Sequence, residues 1–204
     1  MAAKQVLKIK VLNCGGLRDL MSELESQFLV SALGLFRNRA DFGRGKPRAN
    51  VSLVRAYDAR DFYESAFCDD DILHLVAHAS TTELDVGISK KRVLAADLEK
   101  ESKKLKRSLP EIVISTGCEL QSADWHKGLG AAGARILIAS SDAVTPANLT
   151  AFNMSFYSAL LARVRKGETT LERVKAAFEL ADKHYRAVHA DGTPFAKFSL
   201  VELA

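Results

Sequence analysis

The sequence predicts a three-layer α/β sandwich built on a mostly parallel central sheet. Two observations carry this. Segments with a helical recurrence of apolar residues alternate along the chain with short strand-like runs, and several of those runs are apolar throughout, as strands covered on both faces are. The length of 204 residues suits a single domain covering 1–204, with no linker, repeat or low-complexity tract to divide it. Apolar residues make up 48% and charged residues 26%, ordinary for a globular chain able to fill a core.

Taken in order, Val6 to Leu12 alternates as a strand and ends in the turn Asn13-Cys14-Gly15-Gly16. Leu17 to Phe36 follows as a helix, with Leu17, Leu20, Met21, Leu24, Phe28, Leu29 and Leu33 at three- and four-residue spacing. Arg37 to Asn50, with five basic residues, two Gly and one Pro, reads as an exposed basic loop. Next come a strand at Val51–Val54, a short helix at Ala59–Phe67 and a buried strand, Ile72–Ala77, that ends at His78. A polar hairpin-like stretch leads to a helix from Ala95 to Arg107, which Pro110 terminates ahead of the apolar strand Ile112–Ile114. That strand runs into Ser115-Thr116-Gly117-Cys118. A short polar loop then precedes the strand Ile136–Ala139. Two long helices close the helical part: one opens at Pro146, a residue suited to a first turn, and the other follows a capping-box pattern at Thr169-Thr170-Leu171-Glu172. The tail from Phe195 to Val201 alternates like an edge strand.

Composition narrows the chemistry. The formal charge of +4 is no concentrated basic stripe, so no nucleic-acid site is expected. No apolar run reaches the roughly 18 residues of a membrane helix and no signal-peptide core is visible, so the expected setting is cytoplasmic. The three cysteines, Cys14, Cys68 and Cys118, form no CxxC pair; they read as free thiols, and neither a metal site nor a cofactor is expected. Asn13-Cys14-Gly15-Gly16-Leu17 is also too short for a phosphate-cradling glycine fingerprint, which argues against a nucleotide-binding protein.

In an open α/β sheet ligands gather beyond the carboxyl ends of the strands. Three strands here deliver polar or reactive groups to that edge: His78-Ala79-Ser80, Thr116-Gly117-Cys118-Glu119 and Ser140-Ser141-Asp142. Neighbouring strands lie about 4.8 Å apart, so a thiol and an imidazole carried by two of them can share a cleft. A thiolate is a nucleophile, and an imidazole beside it can accept or return its proton. His74, inside its strand, reads as a hydrogen-bonded core residue, and Cys14 as packing.

The blocks Asp71–Ala79 and Ile112–Glu119 resemble the two signature segments of the caspase-like (clan CD) cysteine peptidases, in which one apolar strand ends in His and a later one in the nucleophilic Cys. Here 40 positions separate His78 from Cys118. Downstream, Gly130–Ser140, Ala151–Tyr157, Gly167–Leu171 and Pro194–Leu200 are similar in order to the CHAT domains, a bacterial and separase-related branch of that group. The resemblance is clearest over 51–203. It implies a caspase-like sandwich and a Cys118–His78 dyad without an obligatory third member. It also implies an oxyanion hole from the backbone N–H groups of Ala79 and Cys118. The substrate would be a protein or peptide, a regulatory protein partner would control the enzyme, and the setting would be bacterial defence or cell death. Asp142 resembles the residue with which separase relatives recognise a basic side chain; its competing reading is a helix cap near Pro146. Thr116, Glu119 and Asp124 are further substrate-binding candidates. The Arg-rich segment 37–48 could serve as an autocleavage site.

Besides a short loop after Cys118 and the absence of the usual Trp before Asp142, two positions depart from the family pattern. Ala79 stands where Gly usually follows the His, and Gly117 where Ala commonly precedes the Cys. If Ala79 needed a backbone conformation that glycine permits, the oxyanion hole would be imperfect. The chain would then act as a catalytically silent module that binds or scaffolds a partner.

Overall fold

The computed structural model describes residues 6–15, 19–35, 48–87, 92–162, 168–188 and 196–204. Strands β1 (Leu7–Asn13), β2 (Ala49–Arg55), β3 (Ile72–Val76), β6 (Ile112–Ser115), β7 (Ile136–Ser140) and β8 (Phe198–Glu202) form one sheet in the order β2-β1-β3-β6-β7-β8. All pairings are parallel except β7 with β8, where Leu137 stands opposite Val201. A small antiparallel hairpin, β4 (Glu83–Leu84) and β5 (Val93–Leu94), stands apart from it. Helices α1 (Leu20–Gly34), α2 (Ala59–Ala66), α3 (Leu98–Leu105), α4 (Ala123–Ala131), α5 (Pro146–Ala162) and α6 (Thr170–Val188) cover both faces.

The strand pleat divides the core. Ile9, Val11, Ile72, Val76, Ile114 and Ile138 face a layer of α1, α5 and α6 side chains that includes Leu29, Phe152, Phe156 and Val174. Their sequence neighbours Leu12, Leu73, Leu75, Val113 and Leu137 face Phe62, Leu98, Trp125 and Leu129 on the other side. Burial on both faces is why β3 and β6 read as unbroken apolar runs.

Local chemistry sets the helix ends. At α6 the capping box forms as the sequence suggests: Thr169 N–H donates to Glu172 Oε2 at 2.7 Å, and Glu172 N–H to Thr169 Oγ1 at 3.2 Å. Thr145 caps α5, its Oγ1 accepting from Asn148 N–H at 3.3 Å just before Pro146. Arg48 donates to the Leu161 carbonyl at 2.6 Å, satisfying a backbone acceptor at the α5 C-terminus. Most of the Arg-rich segment, and with it the expected autocleavage site, lies outside the described residues, as do residues 194 and 195 of the closing aromatic stretch.

Helix α4 falls where the sequence reads as a loop. Ser122 Oγ caps it by accepting from Trp125 N–H at 3.3 Å, and Trp125 and Leu129 bury one face. Gly128 lets the helix lie against residue 95: a Cβ there would stand 2.2 Å from the Ala95 carbonyl oxygen.

Candidate active site

The chain lays β2 on one side of β1 and then crosses to place β3 on the other, so the topological switch falls between β1 and β3. Three connections meet beyond the carboxyl ends of β1, β3 and β6. They carry Asp19, His78 and Cys118 respectively.

Cys118 follows β6 through a turn fixed by its own side chains. Ser115 Oγ accepts from Gly117 N–H at 3.0 Å, and Thr116 donates to the Leu75 carbonyl both from its N–H (3.0 Å) and from its hydroxyl (3.1 Å). Glu119 then takes a left-handed conformation, φ 57°, and is exposed. On β3, His78 leaves the sheet and its carbonyl accepts from Asp85 N–H at 2.9 Å, while Ser80 N–H donates to the Glu83 carbonyl at 2.8 Å. These two bonds flank an antiparallel bridge between Ala79 and Leu84. In such a bridge the central residues give neither N–H nor C=O to the ladder, so the Ala79 N–H points away from the hairpin.

Both departures from the family pattern now have a physical account. Among the described non-glycine residues, positive φ occurs at Lys106 and Glu119 and not at Ala79, so the backbone after His78 does not require glycine. A Cβ on Gly117, in turn, would lie 3.1 Å from the Ala79 Cβ, 3.2 Å from the Ala77 carbonyl and 2.6 Å from Leu120 Cδ1. The methyl at 79 occupies space that a methyl at 117 would need. The two residues are complementary in size.

A cavity of about 410 Å³ opens at this edge between α1 and α5, within the usual range of roughly 300–1,000 Å³ for ligand sites. His78, Cys118 and Thr116 all line it, with Met21, Leu24, Glu25 and Phe28 from α1 and Val144 and Leu149 from the approach to α5 and its first turn. Larger depressions elsewhere are lined by Asp58, Arg60 and Glu64, or by Cys68, Asp70 and Arg135, and among the described residues neither lining includes a histidine.

The sequence pattern called for no third group beside the dyad, yet the structure supplies a partner for the imidazole. Asp19 Oδ2 lies 2.9 Å from His78 Nε2. Asp19 is the N-cap of α1, accepting from Ser22 N–H at 3.2 Å and from the Ser22 hydroxyl. Burial pushes its carboxyl upward, but the Ser22 bonds and the His78 imidazole outweigh that and hold it below the ordinary aspartate range. The close approach depends on Gly15, where a Cβ would stand 2.5 Å from Ser22 Cβ and 2.8 Å from Asp19 Oδ2. His78 itself is two-thirds exposed (66% of its side chain) and lines the cavity.

Glu25, one turn and a half further along α1, was also unmarked by motif or spacing. The residue keeps partial exposure to the cavity while its carboxyl lies deep, and burial pushes that carboxyl up to about 7. Bonds to Thr116 and Asn153 pull the other way, and the nearby Asp19 charge adds to the rise. Asn153 Nδ2 approaches Glu25 Oε1 at 3.4 Å.

The remaining expected site residues fall elsewhere. Asp142 is exposed and absent from the cavity lining; its Oδ2 accepts from Lys197 N–H at 3.2 Å, tying down the approach to β8. Nor does it cap α5, a duty Thr145 performs. Asp124 sits exposed in the first turn of α4, and neither it nor Glu119 reaches the cavity wall. His74 is a core residue, its Nδ1 2.7 Å from the Tyr157 hydroxyl, and burial pulls it down to about 3, so it stays neutral. Cys14 is fully buried and its thiol is pushed far up by desolvation. Among the described residues no group of His, Cys, Asp and Glu could hold a metal, and no helix is long and apolar enough to cross a membrane.

The architecture is that of the caspase-like fold. It matches a secreted C11 cysteine protease from Bacteroides thetaiotaomicron, solved with an irreversible peptide inhibitor, at a TM-score of 0.61 and 12% identity over 97% of this chain. It also matches an inactive zymogen C11 protease from Parabacteroides distasonis at a TM-score of 0.53 and 9% identity over 99% of this chain. The chain spans 66% and 63% of the lengths of those two structures. No family model matches the sequence, and no curated protein matches it.

Proposed function

We propose that this chain is a caspase-like cysteine endopeptidase. The carrying observation is that Cys118 and His78, delivered by the adjacent parallel strands β6 and β3, line one open cavity at the sheet's carboxyl edge. Cys118 Sγ gives its proton to the imidazole and attacks the scissile carbonyl carbon, and the oxyanion lies against the N–H groups of Ala79 and Cys118. Each such preorganised donor is worth about 3–4 kcal/mol in hydrolases where one has been removed. As the tetrahedral intermediate collapses, the C–N bond breaks and His78 protonates the departing amine, leaving a thioester. Water then loses a proton to His78 and attacks the thioester; the C–S bond breaks, Cys118 recovers that proton from His78, and the product acid ionises to the peptide carboxylate. Asp19 holds the imidazole from Nε2 and stabilises its cationic form, leaving Nδ1 for the reacting groups.

The silent-scaffold alternative draws on Ala79, and the ordinary φ and outward-facing N–H at that residue favour the peptidase reading over it. Cleavage after Arg or Lys, a place in the separase-related CHAT branch, a defence or cell-death role and control by a partner protein all rest on the sequence resemblance, and a cytoplasmic setting rests on the sequence composition. The test is covalent labelling with peptidyl acyloxymethyl ketones bearing a range of residues at the cleavage position. Labelling mapped to Cys118 and lost in Cys118→Ala and His78→Ala supports the reading. A folded protein that no such probe modifies refutes it.

A further inference from the structure

We propose that Trp125, the chain's only tryptophan, is a positioning residue that holds the Ala79 N–H in place for the reaction, by clamping the hairpin after His78 to the segment that carries Cys118. The inference rests on the peptidase reading for the reaction, but the clamp itself stands on separate observations.

An oxyanion donor is effective only if it is held beforehand where negative charge will develop. The peptide group that bears the Ala79 N–H has the His78 carbonyl at its other end, and that carbonyl accepts from Asp85 N–H; the next N–H, of Ser80, goes to Glu83. Both restraints lie inside the hairpin. A short two-stranded ribbon is marginal by itself, and this one stands apart from the main sheet. Its position against Cys118 is set from helix α4. Trp125 Nε1 donates to the Ser80 carbonyl at 2.8 Å, and Ser122 Oγ donates to the Thr81 carbonyl. Among the described residues these are the hydrogen bonds that join positions 79–82 to positions 118–125. The far side of the clamp is anchored as well. Gln121 donates from its N–H to the Ser140 carbonyl at 3.4 Å and from Nε2 to the Ser199 carbonyl at 2.9 Å, which fixes the start of α4 to β7 and β8. Gly128 then brings α4 against Ala95, whose N–H donates to the Thr82 carbonyl at 3.0 Å. Trp125 itself is fully buried in the layer of Phe62, Leu98 and Leu129. A phenyl ring would supply apolar surface there with no polar atom to satisfy, whereas a buried indole N–H demands an acceptor. The acceptor it takes is the carbonyl of the residue after Ala79.

The experiment has two arms on the whole chain. Because no other tryptophan is present, biosynthetic replacement of Trp by benzothienylalanine, an isostere with sulfur in place of the N–H, alters position 125 alone; Trp125→Phe is the second variant. The first arm needs no activity. Relaxation dispersion at the Ala79 and Ser80 amides should be flat in the wild type and should show millisecond exchange once the indole N–H is gone. In the wild type alone, the indole N–H should exchange with solvent far more slowly than a free one. The second arm compares a peptidyl aldehyde, whose hemithioacetal oxygen occupies the oxyanion position, with a peptidyl methanethiosulfonate, which traps Cys118 as a disulfide and creates no oxyanion. Loss of the N–H should weaken aldehyde binding and lower kcat at least about tenfold, since a misplacement near 1 Å can cost on the order of 100-fold. KM and the rate of disulfide trapping should not change. Flat dispersion in both variants, equal weakening of the two probes, or a wild-type indole N–H that exchanges like a free one overturns the inference and leaves the peptidase intact. A wild type that neither probe modifies at Cys118 sinks the peptidase reading instead, while exchange at Ala79 on loss of the N–H would still support the clamp. Because indole exchange is read on the wild type, misfolding of a variant would not shelter the proposal.

Discussion

Replacing Glu25 by Gln should stabilise the protein in alkaline solution and leave it nearly unchanged in acid. In the folded chain the Glu25 carboxyl is raised from 4.5 to about 7 by burial. The folded state therefore binds this proton more tightly than the unfolded one. Its contribution is fully present below pH 4.5 and is lost as pH rises through about 7, because above that value folding must bury an ionised carboxylate. At 1.36 kcal/mol per pH unit, the interval corresponds to a loss of about 3 kcal/mol. Water in the cavity screens the charge, so this figure is a ceiling. Glutamine keeps the shape of the protonated acid and carries no charge. The two proteins should thus unfold in urea with similar free energies at pH 4.5, and Glu25→Gln should be the more stable at pH 8 by up to about 3 kcal/mol, on the order of 6–12 °C in melting temperature for a chain of this size. Asp19 titrates in both proteins and cancels in the comparison. Parallel stability curves across that range would refute the buried-carboxyl reasoning, as would a variant that is less stable at pH 8.

Three further outcomes test other contacts. Asp19→Ser keeps an equally good helix cap while removing the carboxylate that holds His78, so stability should change by less than about 0.5 kcal/mol while kcat falls at least about tenfold with KM unaltered; a loss of stability matching the loss of rate would reduce Asp19 to a structural cap. Gly117→Ala should cost about 1–3 kcal/mol by overpacking, and adding Ala79→Gly should recover about 0.5–1 kcal/mol of it, read as the coupling in a urea-melt double-mutant cycle; additive effects would show that the two methyl positions do not compete. Gly128→Ala pushes a methyl into the Ala95 carbonyl, a backbone group that cannot swing aside, so unfolding free energy should fall by upwards of about 3 kcal/mol, whereas a change under 1 kcal/mol would mean that α4 does not lie so close.

Much of this architecture was legible because its signals are local. Continuous apolar runs revealed β3, β6 and β7, three- and four-residue spacing revealed α1, and Thr169 with Glu172 revealed the start of α6. Helix α4 was not legible: Gly128 and Gly130 lower helix propensity, and Gly128 is there for a tertiary reason, the approach to Ala95, that no local pattern encodes. The signal available was Ser122 followed by Trp125 and Leu129 at a helical interval. Asp142 was hard to place for a related reason. A lone carboxylate before a proline reads equally as a cap or a specificity group; in the fold Thr145 caps α5, and Asp142 stands outside the cavity lining, bonded to a backbone N–H 55 residues away.

The site residues that escaped sequence reading, Asp19 and Glu25, share one helix, and that helix precedes the stretch over which family resemblance is clearest. The cause is topological. Because β1 lies beside β3 in the sheet, the N-cap of α1 lies over the end of the histidine strand, and 59 residues of sequence separation become a 2.9 Å contact. No periodicity reports such a contact, since it depends on strand order and on the space that Gly15 leaves beside Ser22. Helix α1 is also weakly amphipathic to the eye, with Leu20, Met21, Leu24 and Phe28 exposed beside its buried Leu29 and Leu33. A helix that served packing alone would gain nothing from leaving those side chains in water. Three of the four line the cavity, which makes α1 a wall of that cavity as well as a cover for the sheet, and explains why Glu25 faces inward where a purely structural helix would turn it out.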